Sequence, residues 1–200
     1  MNTFLEKYGI TANTSMVDKL NDYLDESRIS VGKGDDDYKG WSNEFIEYLK
    51  DQIGEPYCYG CQHTRLNPET YEAIIHKRED GRGGYPDGTS YADAAIEFCR
   101  KKFDEGATVL YAYDCSGLGM YWLQNVKHIY DRDANANTMM GRCSGLTAMS
   151  NPAKGWWVFR QDSTGKATHI GYMVDGEYLV EAKGRRYGVV RTKFRAKDWT

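Results

Sequence analysis

The sequence predicts an α+β fold with an antiparallel sheet, and three observations predict it. Segments with apolar residues at helical spacing fill the chain up to about residue 130. Beyond them GWWVFR, ATHIGYMV, EYLVEA and YGVVRT are short, β-branched and aromatic, and are separated by Gly and Asp. Helices first and strands later is the pattern of segregated elements, not the alternation that builds a parallel sheet. At 200 residues and 40% hydrophobic, the chain is long enough to bury one sizeable core.

Each element has its own local signal. Residues 1 to 30 read as helical: Ser15 and Asp18 resemble a capping box ahead of MVDKLNDYLDE, with Val17, Leu20 and Leu24 on one face. SVGKGDDDYKG then reads as a linker, so residues 1–40 form a helical arm and linker and 41–200 the body. A helix from Asn43 to Ile53 carries Phe45, Ile46 and Leu49 and stops at Gly54-Glu55-Pro56. Asn67 as N-cap and Pro68 at the first helical position start a helix over TYEAIIHKRED that closes at Gly81. Ser90 and Asp93 cap YADAAIEFCRKKF. A further helix begins near Cys115 and runs through SGLGMYWLQNVKHIY. Of the tandem Trp156 and Trp157, a strand must turn one away from the core.

Charge and composition exclude several classes. The net charge of −3 has both signs interspersed and no basic stripe, which argues against a nucleic-acid partner. MNTFLEKYGI has no basic n-region before an apolar run, and no stretch of about eighteen apolar residues occurs, so neither a signal peptide nor a membrane span is expected. Five cysteines, an odd number, fit reduced thiols and synthesis in the cytoplasm.

One of those thiols stands in a chemically suggestive place. In YAYDCSGLGM, Cys115 sits where a loop becomes a helix, and a helix N-terminus lowers a thiol pKa from its usual value of about 8.5. The small Ser116, Gly117 and Gly119 leave room for a substrate backbone. Such a thiolate needs a base. His76 and His128 fall on charged helix faces, His63 in a loop stays a candidate, and His169 lies in a strand, THIGYMVDGEYLVEAKG. A two-residue turn at Asp175-Gly176 would pair Val174 with Glu177 and put Glu181 on the face opposite His169. One more residue in the connection pairs Val174 with Tyr178, and His169 and Glu181 then share a face. The longer connection also sorts Ile170, Tyr172, Val174, Tyr178, Val180 and Ala182 onto one apolar and aromatic face, so it is the register expected. A carboxylate beside an imidazole orients it and favours the imidazolium.

IGEPYCYG, DCSGLGMYW, KGWWVF and HIGYMVDGEYLVEA occur in that order, with twelve places from His169 to Glu181. Together they resemble the NlpC family of papain-like cell-wall peptidases, over about residues 42 to 195. The resemblance implies a papain-like (NlpC-type) fold with the nucleophile at a helix N-terminus packed on an antiparallel sheet. It implies Cys115 as nucleophile, His169 as base and Glu181 as the orienting residue. Tyr57 would line the oxyanion or substrate site, and Asp114 and Ser116 would contact the amine or backbone of the substrate. The substrate implied is a peptidoglycan stem peptide, cleaved commonly after γ-D-glutamate; no cofactor and no metal is implied. E-A-K-G-R-R-Y-G-V-V looks like the phage-associated branch with its endolysins and tail-tip lysins. A protein of that kind reaches the wall after holin release, in a virion, or by injection.

The chain departs from the family pattern at several places. A helical insertion at about residues 63–110 separates the first two motifs, Cys58 and Cys61 replace residues usually apolar or Gly, and Glu181 stands where most members have His, Asn or Gln. C-x-x-C followed by His63 resembles half of a zinc site, but its spacing is too tight for a finger and no second C-x-x-C exists. Two other functions compete: a catalytically idle cell-wall or tail binding module, and an amidase or acyltransferase on the same scaffold.

Overall fold

The computed structural model describes residues 36–128, 130–143 and 152–199, with side chains from residue 43 onward. The helix expected over residues 1–30 lies outside the described residues. The elements are α1 (Asp36–Asp51), β1 (Gln62–Leu66), α2 (Tyr71–Glu79), α3 (Tyr91–Asp104), β2 (Leu110–Tyr113) and α4 (Cys115–Tyr121). After them come α5 (Ala136–Gly141), β3 (Trp157–Gln161), β4 (Ala167–Met173), β5 (Tyr178–Gly184) and β6 (Gly188–Lys193). The strands form two sheets, β1-β2 and β3-β4-β5-β6 in that order, which makes the fold the α+β class that the sequence predicts. Among the described residues no helix is long and apolar enough to cross a membrane.

The chain divides into two compact units. The larger continuous part of one is Leu49–Asp133, joined by Val180–Thr192. Its core gathers Leu66, Ile75, Ala95, Ile96, Cys99 and Leu110 with Cys58 and Cys61, from the faces of α2, α3 and the small sheet. The capping expected for α3 is present: Ser90 Oγ accepts the Asp93 N–H at 2.9 Å and donates to Asp93 Oδ2 at 2.7 Å. Before α2, Asn67 Oδ1 instead closes a turn by accepting from the Thr70 N–H at 3.0 Å and Oγ1 at 2.6 Å, which delays the helix to Tyr71. The antiparallel β1-β2 pair joins Leu66 to Leu110 and Gln62 to Tyr113, with one extra residue, His63, between Gln62 and Thr64. His63, the extra residue, takes a left-handed φ of 57°. At Gly188 (φ +65°) an added Cβ would overlap the Glu55 carbonyl oxygen, while the Val189 N–H donates to that same oxygen at 2.7 Å.

The other unit comprises the described residues of Met1–Tyr48, Ala134–Leu179 and Lys193–Thr200. β3 and β4 pair antiparallel, Trp157 opposite Tyr172 and Arg160 opposite His169. Trp157 is buried and Trp156, just before the strand, is exposed, the opposition expected of a tandem pair. Asp175 Oδ1 accepts from the N–H groups of Glu177 (2.8 Å) and Tyr178 (2.7 Å), and the Val174 N–H donates to the Tyr178 carbonyl at 2.9 Å. The closing pair is therefore Val174 with Tyr178, the longer connection. Its parity shows in the packing: a Cβ at Gly171 would run into Leu179 and Trp199, and Met173, Leu179, Trp199 and Val158 form one cluster.

Three expectations are corrected. α1 starts at Asp36, within the stretch read as linker; aspartates at a helix N-terminus are favoured by the macrodipole even where Gly and Asp read as a break. The helix from Cys115 does not reach Tyr130: α4 ends at Tyr121, a π-turn covers Trp122–Val126, and His128 takes a φ of 54°. The Lys127 N–H donates to the Trp122 carbonyl five places back, and this widened last turn closes the helix while Trp122 and Leu123 stay buried. His63 is in a strand, not a loop. Gly188→Ala, which adds overlap with backbone and a left-handed φ to a β-carbon, should cost about 2–4 kcal/mol in urea unfolding.

Candidate active site

β2 delivers the chain to Cys115 under tight backbone control. The Tyr113 N–H donates to the Pro56 carbonyl at 3.1 Å and the Cys58 N–H to the Tyr113 carbonyl at 3.0 Å, so Tyr57 and Tyr113 form a parallel bridge. The Asp114 N–H donates to the Cys61 carbonyl at 2.8 Å. Asp114 then caps α4: its Oδ1 accepts the Gly117 N–H at 2.6 Å and the Ser116 hydroxyl at 3.0 Å. Its Oδ2 accepts the Gly60 N–H at 2.9 Å. Burial pushes the Asp114 carboxyl up from the usual carboxylate range, against the pull of the bonds from Gly117, Ser116 and Gly60.

Gly117 has a specific reason to be glycine. A Cβ there would overlap the Cys61 carbonyl oxygen, so the space beside α4 is filled by the protein's own loop. The small residues after Cys115 were expected to admit a substrate backbone; Gly117 admits the backbone of Cys61. Cys115 itself is the first residue of α4 and is partly exposed.

Tyr57 is buried, and its hydroxyl is pushed well above the ordinary phenol range, by burial first and then by the charge Cys115 can carry; Arg185 opposes this. Tyr57 therefore stays a neutral phenol, and a donor, throughout the working pH range. Tyr57, Asp114, Cys115 and Ser116 are thus brought together within one unit. Glu181, almost fully buried in β5, belongs to that unit by sequence division, and His169 belongs to the other. His169 is half-buried in β4, opposite Arg160, with its ring centre 5.6 Å from that of Trp199.

The remaining histidines and cysteines have other surroundings. The His63 ring stacks on Tyr111 and on Tyr121, at 4.0 Å between centres in each case, and its Nδ1 bonds the Tyr113 hydroxyl. That hydroxyl also donates to Gln52 Oε1 at 2.8 Å, and burial lowers the His63 pKa. His76 pairs with Asp80 at 2.9 Å on the surface. Cys58, Cys61 and Cys99 are fully buried. Their contact raises the Cys58 thiol and lowers that of Cys61, and burial pushes Cys99 up to about 12. Among the described residues no group of three or more His, Cys, Asp or Glu side chains is placed to hold a metal ion.

Two residues beside this region were not found from sequence. Glu79, at the end of α2, is buried and accepts from the Tyr59 N–H at 2.7 Å and from Arg185 Nε at 3.1 Å and Nη2 at 2.8 Å. Nothing local signals it, because HKRED reads as a solvated face and its partner is 106 places away.

No family model matches the chain, and no curated protein matches it. Among solved structures it is similar to the P60 domain of an antigen from M. avium subspecies paratuberculosis, at 16% identity and a TM-score of 0.43, over 80% of this chain and 93% of that one. It is also similar to the peptidoglycan hydrolase RipB from Mycobacterium tuberculosis, at 16% identity and a TM-score of 0.41, over 92% of this chain and 79% of that one.

Asp114→Ala removes the cap and leaves three donors without their acceptor. It should cost about 2–3 kcal/mol in denaturant unfolding, with Ser116→Ala, which removes one donor, costing about 1 kcal/mol or less.

Proposed function

We propose that this chain is a cysteine peptidase of the NlpC type that hydrolyses peptide bonds in the stem peptides of bacterial peptidoglycan. The placement of Cys115 carries the reading: a partly exposed thiol opens a helix whose start is fixed by Asp114 and whose flank is closed by Gly117, while Cys58, Cys61 and Cys99 are shut in a core. A thiol so placed is the one a helix N-terminus activates.

In this reading His169 takes the proton from Cys115 Sγ, and the thiolate attacks the carbonyl carbon of the scissile bond. The C–N bond breaks as the leaving amine takes that proton from His169, and a thioester remains on Cys115. Water then gives a proton to His169 while its oxygen attacks the thioester; the C–S bond breaks, the acid leaves, and the proton returns to the thiolate. Glu181 orients the imidazole. The closing pair Val174 with Tyr178 supports that role, since alternation carries the shared face of Gly171 and Leu179 two places on, to His169 in one strand and Glu181 in the other. Tyr57, a neutral phenol, donates to the substrate or to the developing oxyanion. Asp114 and Ser116 contact the amine or backbone of the substrate. The run from Glu181 to Val190 supports a phage or prophage origin within the same proposal, with holin release, virion delivery or injection taking the protein to the wall.

Native protein treated with iodoacetamide at about pH 6.5 should be labelled at Cys115 ahead of Cys143, the other partly exposed thiol, with Cys58, Cys61 and Cys99 protected. Peptide mapping reads the order, and labelling of Cys115 no faster than Cys143 contradicts activation. In dye release from labelled cell walls, Cys115→Ala and His169→Ala should fall to background, and Glu181→Gln by about one to three powers of ten. Full activity of Cys115→Ala with an unchanged melting temperature overturns the peptidase reading and favours a binding module.

A further inference from the structure

We infer that Arg185 reads a carboxylate of the substrate next to the bond that Cys115 opens; the inference rests on the peptidase reading above. Glu79 holds the Nε and Nη2 edge of the Arg185 guanidinium at 3.1 and 2.8 Å, and is itself fixed by the Tyr59 N–H at 2.7 Å. The guanidinium carbon lies over two rings, 4.7 Å from the centre of Tyr57 and 4.3 Å from that of Tyr91. A guanidinium gripped this way has lost its rotamer freedom, so a ligand that binds it need not order it.

The grip uses two of its five N–H donors. Nη1 donates to no described residue, and it is not a fully buried atom: the side chain keeps 15% of its exposure. The open donors stand beside Tyr57, the ring that also feels the charge of Cys115.

The salt bridge alone does not cancel the local charge. Arg82 lies 3.6 Å over the Tyr59 ring and donates to the Arg78 carbonyl; Arg186 lies 4.0 Å over Tyr85 and pairs with Asp87 at 2.6 Å. Tyr85 in turn meets Tyr91 edge to face at 5.2 Å. Around these rings three guanidinium groups, Arg82, Arg185 and Arg186, thus meet two carboxylates, Glu79 and Asp87. An anionic group is the ligand this suits, and a planar fork with two remaining parallel donors suits a carboxylate. A γ-linked glutamate offers one: its α-carboxylate is left free a few bonds from the carbonyl under attack.

Binding is measured on the Cys115→Ala protein, so that it is read whether or not the chain turns over. The probes are L-alanyl-γ-D-glutamyl-L-lysine and the same peptide with the α-carboxylate converted to a carboxamide. The acid should bind about 10- to 100-fold more tightly than the amide. Adding Arg185→Gln should bring the two within about twofold by weakening the acid alone, and Arg185→Lys, which keeps a cation against Glu79, should keep part of the preference. A role confined to stability would lower the melting temperature without moving the ratio of acid to amide. If Arg185→Gln does not fold, the Arg185→Lys ratio decides. An equal affinity for both peptides, or a preference unchanged in the Arg185 variants, overturns the inference while leaving dye release by the wild type to judge the peptidase reading.

Discussion

Three donors converge on the Asp114 carboxylate, and the surroundings of Cys115 follow from it. Two of them, the Gly117 N–H and the Ser116 hydroxyl, belong to the helix it caps, and the third, the Gly60 N–H, belongs to a loop more than fifty residues earlier. Burial pushes the carboxyl up, and these hydrogen bonds pull the other way. Because the Asp114 N–H reaches the Cys61 carbonyl and Gly117 lies against that same carbonyl, loop and helix meet backbone to backbone. Side-chain motion has little means of loosening such a contact. The thiol is positioned by its neighbours on either side.

A second buried carboxylate holds the same loop from its other side. Asp114 takes the N–H of Gly60, and Glu79 takes that of Tyr59, the residue before it. Glu79 comes from α2, which lies between the IGEPYCYG and DCSGLGMYW stretches, so that segment is built into the support of Cys115. Its pairing with Arg185 is nearly solvent-free on the Glu79 side. Pairs of this kind add little net stability, yet losing one partner strands a buried charge at a cost of about 3–5 kcal/mol. Glu79 and Arg185 are therefore better understood as fixing geometry than as adding stability.

Much of this was legible in the sequence where the signal is local. The Ser90 cap, the start of α4 at Cys115 and the four strands that close the chain all follow from neighbours in the chain. The hairpin connection was legible for a different reason: pleat parity turns the apolar pattern of two strands into a choice between two registers, and Asp175 satisfies the N–H groups of the longer turn. β1 and β2 were missed because QHTRL has one buried apolar residue and LYAY is four residues long, too little for a period to show. The full length predicted for α4 failed because a π-turn keeps the helical apolar spacing while ending the helix. Glu79 with Arg185 was invisible, since charges paired across 106 places leave no local pattern.

The abundance of tyrosine has a physical account in the same region. Arg82 lies over Tyr59, Arg185 over Tyr57 and Tyr91, Arg186 over Tyr85, and Lys183 5.1 Å over Tyr187. Phenylalanine would give a comparable ring face for a cation. What it lacks is a polar edge: Tyr59 and Tyr187 are exposed, and a ring that must hold a cation on one side and face water on the other is better served by a phenol. At Tyr57 burial and the nearby thiol hold the hydroxyl neutral, so it keeps its proton to donate. One residue type thus covers both an exposed cationic surface and a buried neutral donor beside the thiol.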